Sequence, residues 1–446
     1  MRSDFSDPLA AAGVARLSAI FAAKTATPVE ALDLYLNRIE RLNPTLNAFL
    51  AIDRAQAGRD AQASRSRWAK GAPLSPLDGA PIGIKANIAV KGMPWHAGIA
   101  AYADRVADVE AACVAKLRKA GAVIIGVLNM HEAGLGATND NLAFGRCHNP
   151  YRPDFTPGGS SGGGAAAVAA GLCAAAVGTD TLGSVRIPAS YCGVFGYKPV
   201  HGLASTVGVV PLSPTLDDLG VNARSAQDCK AVLDVLTADG AAAAPSDRGA
   251  RVGVIGLPSG GKLNPGVEAA LSLAVETLTR SEVRVELIDP SWGWAAMRRA
   301  ALTVIELEAR VEHAGMLALK PDGFSPQLRA MLDWAQQQSA QKAVDAYRAL
   351  SEAGDDIRRT LSPFDVVLSP STAFPAFAFE DEPPADQADF TMIANIAGLA
   401  SVAFPAGVTP DGLPISLQTI SRDGDAAIAW AEQLARPAPP PTRFRK

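Results

Sequence analysis

The chain has 446 residues, 48% hydrophobic and 19% charged, with 40 glycines, which places it among globular proteins with a large core and excludes a disordered class. Its net charge of −4 comes without any basic stretch, so nucleic acid is not expected as a direct partner, because phosphate binding needs clustered Lys and Arg. Five cysteines without a CxxC pair argue against a disulfide framework and against zinc, and reduced, mostly buried thiols are expected.

The first residues, Met1-Arg2-Ser3-Asp4, carry an early acid and no long apolar run, so no signal peptide is expected and a soluble cytoplasmic protein follows. From about 8 to 70 the periodicity is helical. Leu17, Ile20 and Phe21 share one face, and Leu32, Leu34, Tyr35 and Ile39 share another. Thr27-Pro28-Val29-Glu30 predicts a helix start, with Thr27 as N-cap, Pro28 first in the helix and Glu30 closing a capping box.

Between about 71 and 240 short apolar runs alternate with helices. Pro81–Ile84, Gly121–Gly126 and Ala174–Gly178 read as buried strands, which implies an α/β layered core. The alanine-rich stretch from Gly162 to Gly178 is read as a buried helix followed by a strand, and not as a membrane span. Ala241–Asp247 is a small-residue linker, Arg251–Ile255 a further strand, and the region to about 360 a largely helical insertion. Phe364–Leu368 returns to the core, and Pro437–Pro441 is a proline-rich tail on the surface. One domain is therefore expected over the whole chain. Its core is a mixed, twisted sheet covered by helices on both faces.

The most informative stretch is Pro157-Gly158-Gly159-Ser160-Ser161-Gly162-Gly163-Gly164, followed by Gly178-Thr179-Asp180-Thr181-Leu182-Gly183-Ser184-Val185-Arg186. A helix of about eleven residues from Gly162 travels roughly 16 Å. A strand of about five to seven residues returns roughly 16–23 Å. Ser160 and Ser184 can therefore meet at one end of the layer, with glycines leaving backbone N–H groups free to face a ligand. Three other readings compete. A phosphate cradle lacks GxxxxGK[ST], a packing loop remains open, and the G-x-S-x-G elbow fails because three prolines precede it where a strand is needed.

These two segments resemble the amidase signature, and the agreement extends beyond them. Gly79–Ile88 resembles the family's lysine segment, and Asn129–Glu132 and Phe144–Pro150 resemble the approach to the serine loop. Cys192–Pro199, Leu368–Thr372 and Gly398–Gln418 are also similar, so the likeness spans most of the chain. The resemblance implies a serine amidohydrolase with Ser184 as acylated nucleophile, Ser160 as proton relay behind a cis peptide bond, and Lys85 as general base. The backbone N–H groups of Thr181, Leu182, Gly183 and Ser184 would form the oxyanion hole, with Ser161 in support. Asp180 and Arg186 flank the nucleophile turn. Asp180 is read as a buried brace and Arg186 as its charge partner, with a substrate carboxylate as the alternative for Arg186.

Two positions depart from the family pattern. Ala86 stands where Asp is usual, removing a carboxylate near Lys85, and Leu182 stands where Gly is usual, adding bulk beside the scissile bond. The expected activity is cofactor-independent hydrolysis of a linear amide to a carboxylic acid plus ammonia or an amine. A small-molecule amide is the expected ligand, and a homodimer is compatible. The alternatives are an amidotransferase-like protein delivering ammonia to a partner, and a catalytically silent binding protein.

Other chemistries are weaker. The five histidines show no metal-ligand spacing, and His131-Glu132 lacks a second His four residues on. Gly256–Lys262 nearly spells a phosphate loop, but Leu263 replaces the Mg²⁺-binding hydroxyl, and Ser259-x-x-Lys262 lacks the companions of penicillin-binding enzymes. Cys147 or Cys192 as a thiol nucleophile has no convincing neighbour. Trp292, Trp294, Trp334 and Phe374 are candidates for an apolar substrate pocket, although aromatic residues at such spacing are more often core.

Overall fold

The computed structural model describes residues 9–237, 250–255, 261–281, 283–290 and 292–441. The linker at 241–247 and most of the phosphate-loop-like stretch at 256–262 lie outside these residues. Eleven strands form one sheet: β1 (Phe49–Ile52), β2 (Pro81–Lys85), β3 (Val123–Leu128), β4 (Ala175–Asp180), β5 (Phe195–Lys198), β6 (Asp218–Ala223), β7 (Arg251–Ile255), β8 (Arg284–Ile288), β9 (Val366–Pro370), β10 (Ala400–Val408) and β11 (Pro414–Ser421). Their order across the sheet is β1-β3-β2-β4-β6-β5-β10-β11-β9-β7-β8.

The sheet is mixed. β2 runs parallel to β3 and β4, and β7 runs parallel to β8 and β9, while the centre is antiparallel. Alternation along each strand sends neighbouring side chains to opposite faces. On β3, Ile124 and Val127 join one apolar cluster, whereas Val123, Ile125 and Leu128 join another. On β9, Val366 and Leu368 face the first cluster and Val367 a third. Both faces are covered, which is why these strands read as unbroken apolar runs.

The helical segments form where caps and periodicity favour them. Thr27 accepts from the Glu30 N–H while Glu30 accepts from the Thr27 N–H, closing the capping box on the helix Pro28–Leu46. The region between β6 and β9 holds the helices Ala226–Leu236, Pro265–Arg280, Trp294–Leu319, Pro326–Gln336 and Ala340–Leu361. It also contributes β7 and β8 to the main sheet, and β8 is a strand that its own residue pattern does not announce. β3 starts two residues later than expected, because Gly121 turns with φ +90 and an added Cβ there would lie 2.6 Å from Asp78 Oδ1.

The parallel pairing of β2 with β4 positions the site. Ile84 is level with Val177, so Lys85 at the end of β2 and Asp180 at the end of β4 reach the same edge. The helix Gly162–Ala169 runs back before β4, eight residues long where about eleven were expected, and its start brings Ser160 and Ser161 to that edge too. Ligands in α/β sheets bind outside the carboxyl ends of parallel strands.

Candidate active site

Lys85 is 1% exposed, and its Nζ lies 2.7 Å from Ser160 Oγ and 2.9 Å from Thr179 Oγ1. Burial disfavours the ammonium and lowers the Lys85 pKa to about 7, a shift opposed by the charges of Asp217 and Asp180. A lysine of that pKa is substantially neutral near pH 7 and can accept a proton. Gly178 makes room for the arrangement, because a Cβ there would stand 2.7 Å from Ser161 Oγ and 3.6 Å from Lys85 Cδ.

Ser160 is also 1% exposed and follows a cis Gly159–Ser160 peptide bond. Its carbonyl accepts from the His131 N–H at 3.1 Å. The two serine segments are tied directly, since the Ser161 N–H donates to the Ser184 carbonyl at 3.0 Å. Ser161 Oγ donates to the Thr179 carbonyl at 3.1 Å, so that hydroxyl is committed to the loop. Burial lowers the His131 pKa to about 4, keeping this ring neutral beside the lysine.

The turn carrying Ser184 is braced by Asp180. This carboxylate accepts from the N–H groups of Gly183 and Val185 at 2.8 and 3.1 Å. It also pairs with Arg186 at 2.9 Å, both side chains being inaccessible to solvent. Burial alone would raise the Asp180 pKa, but Arg186 and Asn395 hold it below the ordinary carboxylate range. Arg186 directs its five donors to Asp180 Oδ1 and Oδ2, the Thr391 carbonyl, Gln418 Oε1 and Asn395 Oδ1, so none remains for a substrate carboxylate. Gly183 adopts φ +124, and a Cβ there would collide with Thr391 Oγ1 at 2.1 Å.

This buried pair yields the first prediction. Arg186→Met leaves Asp180 charged and unpaired in the core, and the expected loss is about 3–5 kcal/mol of unfolding free energy. Urea denaturation of the two proteins checks it; a loss below about 1 kcal/mol would mean that the pair is not what holds this turn.

Of the four amides expected in the oxyanion hole, that of Gly183 already donates to Asp180. The amides of Thr181, Leu182 and Ser184 have no protein acceptor among the described residues. Ser184 and Leu182 are half-buried and border a cavity of about 110 Å³. Gly159 also lines it, and an added Cβ on Gly134 would lie 3.7 Å from both Ser160 Oγ and Leu212, so the relay serine sits just behind that wall. Both serine loops therefore reach one cavity.

Several residues that shape this site have no local sequence signal. Asp217 accepts from Thr181 Oγ1 at 2.6 Å and from the N–H groups of Leu212 and Ser213 at 2.8 and 3.0 Å. Burial raises its pKa to about 6, against those hydrogen bonds and the nearby Lys85. Ala86 lies in the apolar core, and the negative charges that act on Lys85 are those of Asp217 and Asp180. Thr391 donates to the Leu182 carbonyl at 2.6 Å. The four aromatic residues named as pocket candidates do not line the cavity. Trp292 and Trp294 are in the core, Phe374 packs against it, and Trp334 is exposed on its helix. Cys147 and Cys192 are buried, which raises both thiols above their ordinary pKa and removes them as nucleophiles. Among the described residues no three of His, Cys, Asp and Glu stand together as a metal site, and no helix is long and apolar enough to cross a membrane.

The amidase family model matches residues 30–427. The chain belongs to the amidase family. Its similar relatives include a glutamyl-tRNA(Gln) amidotransferase subunit of Anaeromyxobacter dehalogenans (strain 2CP-C), 35% identical over 96% of this chain and 97% of that protein. The corresponding protein of Roseiflexus sp. (strain RS-1) is 34% identical over 90% of each chain. Among solved structures, an amidase superposes with a TM-score of 0.87 at 29% identity, covering 95% of this chain and all of that one. The peptide amidase of Stenotrophomonas maltophilia superposes with a TM-score of 0.83 at 28% identity, covering 96% and 98%. Membership places this chain among hydrolases of amide carbon–nitrogen bonds, and its α/β fold with a large mixed sheet is the family's.

Proposed function

We propose that this amidase-family chain hydrolyses a linear amide through an acyl-enzyme on Ser184, without a cofactor. The observation that carries the reading is the fully buried Lys85 amine, 2.7 Å from Ser160 Oγ with a pKa of about 7. An amide needs an activated nucleophile, a stabilised oxyanion and a protonated leaving nitrogen. Ser184 Oγ attacks the carbonyl carbon while its proton passes to Ser160 and that of Ser160 to Lys85. The oxygen gains negative charge beside the amides of Thr181, Leu182 and Ser184. Collapse breaks the carbon–nitrogen bond as the proton returns through Ser160 to nitrogen. Water then attacks the acyl carbon and gives a proton through Ser160 to Lys85; the bond from that carbon to Ser184 Oγ breaks as the proton returns to Ser184, and the acid leaves.

Incubation with aliphatic, aryl and amino-acid amides, with ammonia release and protein mass both followed, tests this directly. Ammonia should appear together with a transient mass increase equal to the acyl group. Ammonia release without any acylated protein would remove the covalent step.

A second reading is favoured by the relatives named amidotransferase subunits. On that reading the chain passes ammonia to a partner protein. Isolation of the protein from its native cell at low ionic strength separates the two. A stoichiometric companion chain, with amide hydrolysis only in the complex, supports the second reading.

Asp217 provides a test of the base. Its negative charge favours the ammonium form of Lys85 and so raises the lysine pKa. Asp217→Asn removes that charge, the folded pKa of Lys85 falls, and the rising limb of kcat/KM is expected at lower pH than in the parent. A mere loss of hydrogen bonds around Thr181 would lower the plateau without moving the limb.

A further inference from the structure

The cavity beside Ser184 is small and apolar. Its volume is about 110 Å³, and its side-chain walls come from Leu182, Ile187 and Leu212 of the core together with Leu302 and Ile305 of the helix Trp294–Leu319. Only two lining residues have polar side chains among those described: Ser184, and Thr181, whose hydroxyl donates to Asp217. No charged side chain lines it among the described residues.

We propose that this cavity is the acyl pocket and that it takes a short, uncharged aliphatic acyl group. This rests on the Ser184 reading given above. Size sets the upper limit. A cavity of about 150 Å³ accommodates benzene, and one water occupies about 30 Å³ of liquid, close to the space of a methylene. At about 110 Å³ the pocket is smaller than the benzene cavity and suits a short chain better than a phenyl ring. Charge sets the second limit, because an ammonium or carboxylate here would be desolvated without a partner. Leu182 and Leu302 both line the cavity, and Leu302 is 36% exposed, so its side chain stands where the pocket meets solvent.

The experiment compares acetamide, butyramide, pentanamide, octanamide and benzamide with 4-aminobutanamide, the ammonium isostere of pentanamide. Each added methylene should raise kcat/KM about four-fold up to pentanamide, with octanamide and benzamide falling below it. The charged isostere should be at least about 100-fold slower than pentanamide. Leu302→Ala should move the optimum to longer chains, and Leu302→Trp to shorter ones. Equal rates along the series, a preference for 4-aminobutanamide, or an optimum unmoved by both Leu302 variants overturns the pocket. Binding of the same amides to Ser184→Ala, read by saturation-transfer NMR, keeps the two proposals separate. The same rank order in binding, without hydrolysis by the parent enzyme, upholds the pocket and sinks the acyl-enzyme. Hydrolysis through a Ser184 adduct without the rank order does the reverse.

Discussion

Replacing Ser184 by alanine is expected to lower kcat for a primary amide on the order of 10⁶-fold, the scale lost when a hydrolase nucleophile is removed. The fold should survive. The carbonyl of residue 184 still accepts from the Ser161 N–H, Asp180 still holds the amides of Gly183 and Val185, and the hydroxyl that is removed makes no hydrogen bond within the described residues. Thermal unfolding within about 0.5 kcal/mol of the parent, as for substitutions that disturb no buried feature, would show that the loss is chemical. Ser160→Ala should also be slow. Its signature differs, because Ser184 remains available to form a small amount of acyl-enzyme with an activated ester.

The second large effect concerns Lys85. Only the neutral amine can accept the relayed proton, so kcat/KM should rise with pH through about 7 and then level off. The sign follows from burial. The ammonium is disfavoured in the folded enzyme, the folded pKa lies below the ordinary lysine value, and activity is lost as pH falls through it. Lys85→Met, which keeps the apolar stem but no base, should cost about 10³–10⁴-fold for amides. Activated esters should lose less, since their leaving groups need no proton. Lys85→Arg should not rescue the amidase, because a guanidinium stays protonated at working pH. An arginine enzyme with near-native amide turnover would exclude the lysine as the base.

The sequence pattern disclosed most where the signal is local. The capping box at Thr27, the apolar runs of β2, β4 and β7, and the spacing of Lys85, Ser160 and Ser184 depend on neighbours within a turn or a strand. The short edge strands β1 and β8 escaped, because the pattern of Arg284–Ile288 is half-exposed and its pairing with β7 is decided by tertiary contact. Asp217 escaped for the same reason. It follows Leu216 in a loop with no catalytic motif around it, and only the meeting of β4 with β6 brings it to Thr181 and Lys85. For the aromatic candidates other than Trp334 the core reading, and not the pocket reading, is the one that fits. Trp292 and Trp294 pack edge-on against each other, and Trp294 against Phe390, filling the core of the helical region. The helical region gives the cavity wall two aliphatic residues, Leu302 and Ile305. Ile305 carries no pattern distinguishing it from other core positions of its helix, and Leu302 none distinguishing it from an exposed leucine.

The division of labour between the two serines is the claim on which the rest depends. Both serine loops reach the cavity, yet only Ser160 is within hydrogen-bonding distance of Lys85. The most direct measurement is peptide mass spectrometry of the enzyme inactivated by a fluorophosphonate at pH 8, where Lys85 is largely neutral. The adduct is expected on the peptide carrying Ser184, at one equivalent per chain, and absent from Ser184→Ala. An adduct on Ser160 that persists in Ser184→Ala would contradict the assignment.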